Sequence, residues 1–219
     1  MTNRLLLRKQ HLKLDSKKII FWKEKKAIIM SDLHLGKSAH FRKNGIATPS
    51  DIIQSDLKRI SELIKKYNPL QIIVVGDLFH SKINPEWEIF KEWRTKFKEL
   101  EFHLIKGNHD INYINYFNEV DIKIYDEKLI IEPFLFVHIP IKKEELLSSD
   151  KDLFVFSGHI HPGVSLIGKA KQKIILPCFL ISDNQGILPA FGRLTGLYKI
   201  KPNQNDKIFI IYDDLVILK

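Results

Sequence analysis

Along the first half of the chain, short apolar runs alternate with stretches whose apolar residues recur every three or four positions. Lys18–Trp22 and Ala27–Met30 read as strands, because brief β-branched and aromatic runs bounded by polar turns suit strands better than helices. Pro49-Ser50-Asp51 opens an expected helix with Ile53, Leu57, Ile60 and Ile64 on one face. Ser50 is its expected N-cap, and Asp51 suits the positive end of the helix dipole. Asn68-Pro69 ends it, and Ile72–Val75 follows as an interior strand. A second helix is expected near Pro85, with Trp87, Phe90, Trp93, Phe97 and Leu100 as its buried stripe, before a strand at Glu101–Ile105.

The second half changes rhythm. Phe134–Val137, Leu153–Phe156, Gly163–Ile167, Lys173–Ile175, Phe179–Ile181 and Lys207–Tyr212 read as short strands. Asp213-Asp214 turns the last of them into Leu215–Leu218. Two sheets stacked face to face, with helices outside both, would make a four-layer α-β-β-α sandwich of the α/β class. No repeat, low-complexity tract or linker interrupts the pattern, so residues 1–219 are expected to form a single domain.

Five polar clusters each stand directly after an apolar strand. These clusters are Asp32-Leu33-His34, Gly76-Asp77, Gly107-Asn108-His109-Asp110, His138 and Gly158-His159-Ile160-His161. Singly they are weak, and Gly76-Asp77 is a common turn. Their order in one chain is the strong signal, since open sheets place sites beyond the carboxyl ends of strands. His159 and His161 would face opposite ways on an extended segment, so the backbone must bend there, as Gly158, Pro162 and Gly163 permit.

Ligand chemistry suggests two divalent cations sharing Asp77. Asp32, His34 and His161 would complete one site, and Asn108, His138 and His159 the other. Imidazoles and carboxylates suit Mn²⁺, Fe²⁺ or Zn²⁺, and no thiolate is offered. Such a centre would lower the pKa of a water and let the resulting hydroxide attack phosphorus. His109 is kept outside the metal shell as the proton donor to the leaving oxygen, with Asp110 orienting its ring. Lys37, His40 and Arg42 could gather around a substrate phosphate or form a charged loop over the site. Phe41 is expected to anchor that loop. Leu176–Phe179 and Pro189–Gly192 suggest either a wall of the site or a tightly packed sheet edge.

Composition adds bounds. The formal charge of +9, from 35 Lys and Arg against 26 Asp and Glu, is compatible with a polyanionic partner or with a lysine-rich solvated surface. Cys178 is the sole cysteine, which excludes an internal disulfide and fits a reducing compartment; it reads as a small buried residue. No apolar stretch is long enough for a signal peptide or membrane span, so a cytoplasmic protein without membrane contact is expected.

The five clusters together resemble the calcineurin-like metallophosphoesterase superfamily. The resemblance implies the ligand assignment above and places His109 at the leaving group. A narrower likeness is to the bacterial DNA ligase-associated metallophosphoesterases. It rests on Asp32–Lys37, Phe41-Arg42, Gly45, Gly76–Ser81, Gly158–Gly163, Leu176–Phe179 and Leu188–Gly192. That likeness implies a manganese-dependent nuclease acting on DNA in repair, beside a DNA ligase, a helicase-like protein and an exonuclease. It also puts His80 and Ser81 along the cleft. A phosphodiesterase for small nucleotides, or a metal-retaining scaffold in a repair assembly, remain the alternatives, and a homodimer is compatible with all three.

Overall fold

A computed structural model describes residues 3–80, 82–168 and 172–219, without the side chains of Lys143 and Ile167. The first sheet runs in chain order through β1 (Arg4–Leu7), β2 (Gln10–Asp15), β3 (Ile19–Trp22), β4 (Ala27–Met30), β5 (Gln71–Val75), β6 (Glu101–Ile105) and β7 (Lys123–Tyr125). It is antiparallel up to β4 and parallel from β4 onward. Among the described residues four α-helices accompany it: α1 (Lys37–Lys43), α2 (Ile52–Tyr67), α3 (Glu86–Thr95) and α4 (Ile114–Asn118).

The second sheet holds β8 (Lys128–Ile131), β9 (Phe134–Val137), β10 (Phe154–Ser157), β11 (Pro162–Ile167), β12 (Lys173–Ile181), β13 (Gln185–Ile187), β14 (Tyr198–Lys199), β15 (Lys207–Tyr212) and β16 (Leu215–Leu218). Its order is β14-β11-β12-β13-β10-β9-β8, with β15 and then β16 added beside β12. The strands β9, β10 and β13 run parallel.

Strand alternation divides the apolar residues between two cores. Ile28, Met30, Ile72, Val74, Phe102 and Leu104 face α2 and α3, where Ile53, Leu57, Ile60, Trp87 and Phe90 meet them. The alternate residues Ile29, Ile73, Val75 and Ile105 face the second sheet and pack against Phe134, Phe136, Phe154, Phe156 and Phe179. The outer face of β9 and β10 is covered by Leu146 and Ile141, beside single 3-10 turns at Lys143–Glu145 and Ser148–Asp150. The α/β sandwich is therefore the observed architecture, with its α-helices packed on the first sheet. No helix among the described residues is long and apolar enough to cross a membrane.

Several local expectations are corrected. Asp51 occupies the N-cap position of α2 without a side-chain capping bond, so Ser50 does not cap it. The α3 helix stops at Thr95, before Phe97 and Leu100, because the Arg94 guanidinium folds over the carbonyls of Phe97, Leu100 and Asp121. Lys173–Ile175 and Phe179–Ile181 belong to one strand. Pro177, which lacks an N–H donor, sits where β12 changes partner, from β11 through Pro177 to β15 from Cys178 onward.

Candidate metal centre

All five polar clusters lie at the carboxyl ends of parallel strands: β4, β5 and β6 in one sheet, β9 and β10 in the other. Stacking the two sheets brings these ends together. The Asp32 and His34 amides donate to Gly76 O and Asp77 O, which zips the first two loops side by side. The Gly158 amide does the same with His138 O across β9 and β10. The Pro189–Gly192 segment is laced to the Asp32 loop, with Phe191 N bonded to Ser31 O and Gly192 N to Asp32 O.

The bend that lets His159 and His161 share a site is made by the histidines themselves, with φ of 67° and 53°. Asp32, His34 and Asp77 are also left-handed, at 52°, 47° and 51°. Such a conformation costs an ordinary side chain about 1–2 kcal/mol per residue. Gly76, at φ 80°, has the His138 ring where a Cβ would stand, so only glycine lets β5 and β9 meet this closely.

Six of the seven expected ligands converge. His34 Nε2 is 3.4 Å from His161 Nε2 and 3.7 Å from Asp77 Oδ2. His161 Nε2 is 3.3 Å from Asp32 Oδ1. His138 Nε2 is 3.5 Å from Asp77 Oδ2 and 3.2 Å from His159 Nδ1. Asp77 thus stands between His34 and His138, which the sequence assigns to different ions. Asn108, the seventh, is exposed and borders the same cleft as His138.

The donor set fits divalent cations. Asp32 and Asp77 are 0% and 3% exposed, and among the described residues their only ion-pair partners are His34, His138 and His161. Buried carboxylates without a lysine or arginine are costly unless a cation joins them. Asp32, His34 and His161 form one group able to hold an ion, and Asp32, Asp77 and His138 form another. His138 Nδ1 lies 3.2 Å from Val75 O, so that nitrogen carries the proton and Nε2 offers its lone pair.

The electrostatics differ between the two histidines beside Asp77. Burial lowers the His34 pKa to about 3, against the pull of Asp77, which keeps the ring neutral as a ligand must be. Burial acts to lower the His138 pKa too, but its bond to Asp77 raises it above the ordinary value. Burial would raise Asp77, yet the bond and charge of His138 and the His109 amide hold it below the carboxylate range.

His109 donates its backbone N–H to Asp77 Oδ1 at 2.9 Å, while its half-buried ring packs 5.2 Å from the ring of His34. Asp110 does not orient that ring. It is fully buried, and its two oxygens accept the amides of Phe79 (3.1 Å) and Gly107 (2.9 Å), making it the brace of the loop; burial raises its pKa to about 7. His80 comes closer to the centre than the sequence suggested, with its Nδ1 3.2 Å from His34 Nδ1 and its ring 4.4 Å from that of His109. Burial and the charges of His109 and Lys37 lower its pKa to about 4.

The Lys37–Arg42 segment is helix α1, not a loop. Lys37 Nζ sits 5.7 Å over the Phe41 ring, and the His40 ring is 5.5 Å from that of His80. Phe41 is half-buried and lies outside the core clusters. Arg42 turns away from the centre to Glu86 Oε1 and Pro49 O, both at 3.1 Å. Ser81 lies outside the described residues. Cys178 is buried in β12 opposite Ile210 of β15, and burial raises its thiol to about 12, which suits packing rather than chemistry.

The profile of the Calcineurin-like phosphoesterase family matches residues 25–169, a span that includes all five clusters. The crystal structure of Pseudomonas putida nuclease MPE is similar over 95% of this chain and 96% of that one, with 28% sequence identity and a TM-score of 0.80. Yfce, a phosphoesterase from E. coli, aligns over 87% of this chain and 96% of its own, at 11% identity and a TM-score of 0.45. No curated protein matches the sequence.

Proposed function

We propose, given that the chain belongs to the calcineurin-like phosphoesterase family, that it hydrolyses the phosphodiester bonds of DNA at a two-metal centre. The observation that carries the reading is the meeting of Asp32, His34, Asp77, His138, His159 and His161 from four strand ends. With Asn108, these residues would hold two divalent ions, Mn²⁺ foremost and Fe²⁺ or Zn²⁺ as the other candidates. When bound, such ions offset charge on phosphoryl oxygens and acidify water.

The protein's own groups supply the remainder. Asp77, fixed by the His109 amide, holds the two halves of the centre at one spacing. The His109 ring, outside the assigned ligand set although it packs against His34, is the proton donor to the leaving oxygen. Lys37 and His80 line the approach on the α1 side, where a phosphate would meet them.

A polynucleotide is favoured over a small nucleotide by whole-length similarity to a nuclease, and DNA by the family resemblance. A role in repair beside a DNA ligase, a helicase-like protein and an exonuclease belongs to the same proposal and rests on the family resemblance. The test is metal-dependent cleavage of single-stranded, nicked and linear duplex DNA, RNA, cyclic nucleotides and a small aryl diester. Cleavage of a DNA form is expected. Inactivity on every DNA form, with efficient turnover of cyclic nucleotides, would replace this reading with the small-nucleotide one.

A further inference from the structure

One cleft borders the centre and a second lies past the contact of the His80 and His40 rings, and their charges are opposite. The one beside His138 and Asn108, about 530 Å³, carries Asp126, Glu127 and Glu145 against Lys106 alone, and Lys106 is paired with Asp126. The other lies between α1 and residues 82–85 and measures about 580 Å³. It is reached from the centre through the rings of His80 and His40, 5.5 Å apart. Its rim carries Lys43 and Lys82 and no carboxylate, and among the described residues neither lysine is ion-paired. Ile83 and Pro85 add exposed apolar side chains to its lining.

We propose that the α1 cleft binds the nucleotides of a single DNA strand flanking the scissile phosphate, with Lys43 and Lys82 on their phosphates, and that the acidic cleft repels the strand. The inference rests on the nuclease reading above and gives it a direction. A polyanion leaving the centre meets unpaired cations one way and excess carboxylates the other, so the two exits differ in sign. The volume lies within the roughly 300–1,000 Å³ typical of small-ligand sites, which suits a nucleotide rather than a duplex. Apolar side chains offer a base face while the ammonium groups displace counterions.

The test compares the metal-loaded full chain with Lys43→Glu/Lys82→Glu and with Glu127→Lys/Glu145→Lys, on a single-stranded oligonucleotide across a salt series and on a small aryl diester. The lysine variant should lose about tenfold or more in kcat/KM on the oligonucleotide, through KM. Its dependence of log KM on log salt should flatten by about 1.4, the share of two phosphate contacts on a single strand. Its aryl diester turnover should stay within about twofold, which also reports an intact fold and centre. The glutamate variant should not lose oligonucleotide activity. An unchanged KM and salt slope in the lysine variant, or an equal loss on the aryl diester, overturns the cleft assignment alone. If the parent protein turns over the aryl diester but no oligonucleotide, the nuclease reading fails and this inference with it.

Discussion

Between Phe134 and Val137, and again between Phe154 and Ser157, two neighbouring strands bury aromatic rings against the first sheet; one residue further, at His138 and Gly158, the imidazoles and carboxylates begin. Phe134 and Phe156 pack edge to face at 5.1 Å, in a region of ordinary strand geometry. The tips of β4, β5 and β10 instead hold five left-handed side chains and two buried carboxylates with no lysine or arginine partner among the described residues. The strands supply the folding energy and the tips consume some of it. At about 1–2 kcal/mol each, the left-handed residues together spend much of a typical stability of about 5–15 kcal/mol. Stability and chemistry are therefore separable along the same strands, and mutations on either side of the boundary should move different observables.

The largest effect is expected at the tip. Asp77→Ala removes the carboxylate between His34 and His138, and turnover should fall by more than about 1,000-fold, or roughly 4 kcal/mol. The metal-free melting temperature should move by no more than about 2–4 °C. Collapse of the metal-free fold would erase the boundary. On the strand side, Phe156→Ala should cost about 3–5 kcal/mol of stability in denaturant titrations, with near-normal turnover per folded molecule.

His109→Ala sharpens the comparison within the tip itself. Turnover of a DNA diester should fall about 100-fold with metal affinity retained, and less for an aryl diester, whose leaving group needs no proton. A parallel loss of metal binding would make His109 a structural residue instead.

The smallest effect concerns a buried carboxylate that does have basic and hydroxyl partners. Burial would raise the pKa of Asp15, but bonds from Lys66 Nζ and Tyr67 Oη hold it below the ordinary value. A depressed folded pKa adds stability that is present above the unfolded value of about 3.9 and lost as pH falls through the folded one. Asp15→Asn should therefore cost about 1.5–3 kcal/mol at neutral pH, the worth of bonds to a charged group, and progressively less in acid. Thermal melts across pH would show whether the two proteins converge there.

Much of this boundary was legible in the sequence because an abrupt change from apolar to polar is what a strand end looks like. β4, β6, β9, β15 and β16 fall where their apolar runs do. The amino-terminal hairpin of β1 and β2 was not, since Leu5–Leu7 is a run of three between charged residues and the two leucines of β2 stand singly among histidine, lysine and aspartate. The bend at His159 and His161 was foreseen, but its cause was assigned to Gly158, Pro162 and Gly163, because nothing local announces a strained histidine. The position of Asp110 was clear and its role was not: only tertiary contact shows that its oxygens face the Phe79 and Gly107 amides. Lys43 and Lys82 carried no signal among 35 basic residues, and their setting emerges only from the cleft they share.

The central claim is that side chains from two sheets create paired cation sites joined by Asp77. Electron paramagnetic resonance during Mn²⁺ titration of the metal-free protein tests it most directly. Two ions about 3.5–4 Å apart should give a spin-coupled spectrum that saturates at two equivalents, and Asp77→Asn should abolish the coupling. A spectrum of isolated Mn²⁺ at saturation, or a coupled one indifferent to Asp77, would contradict the account.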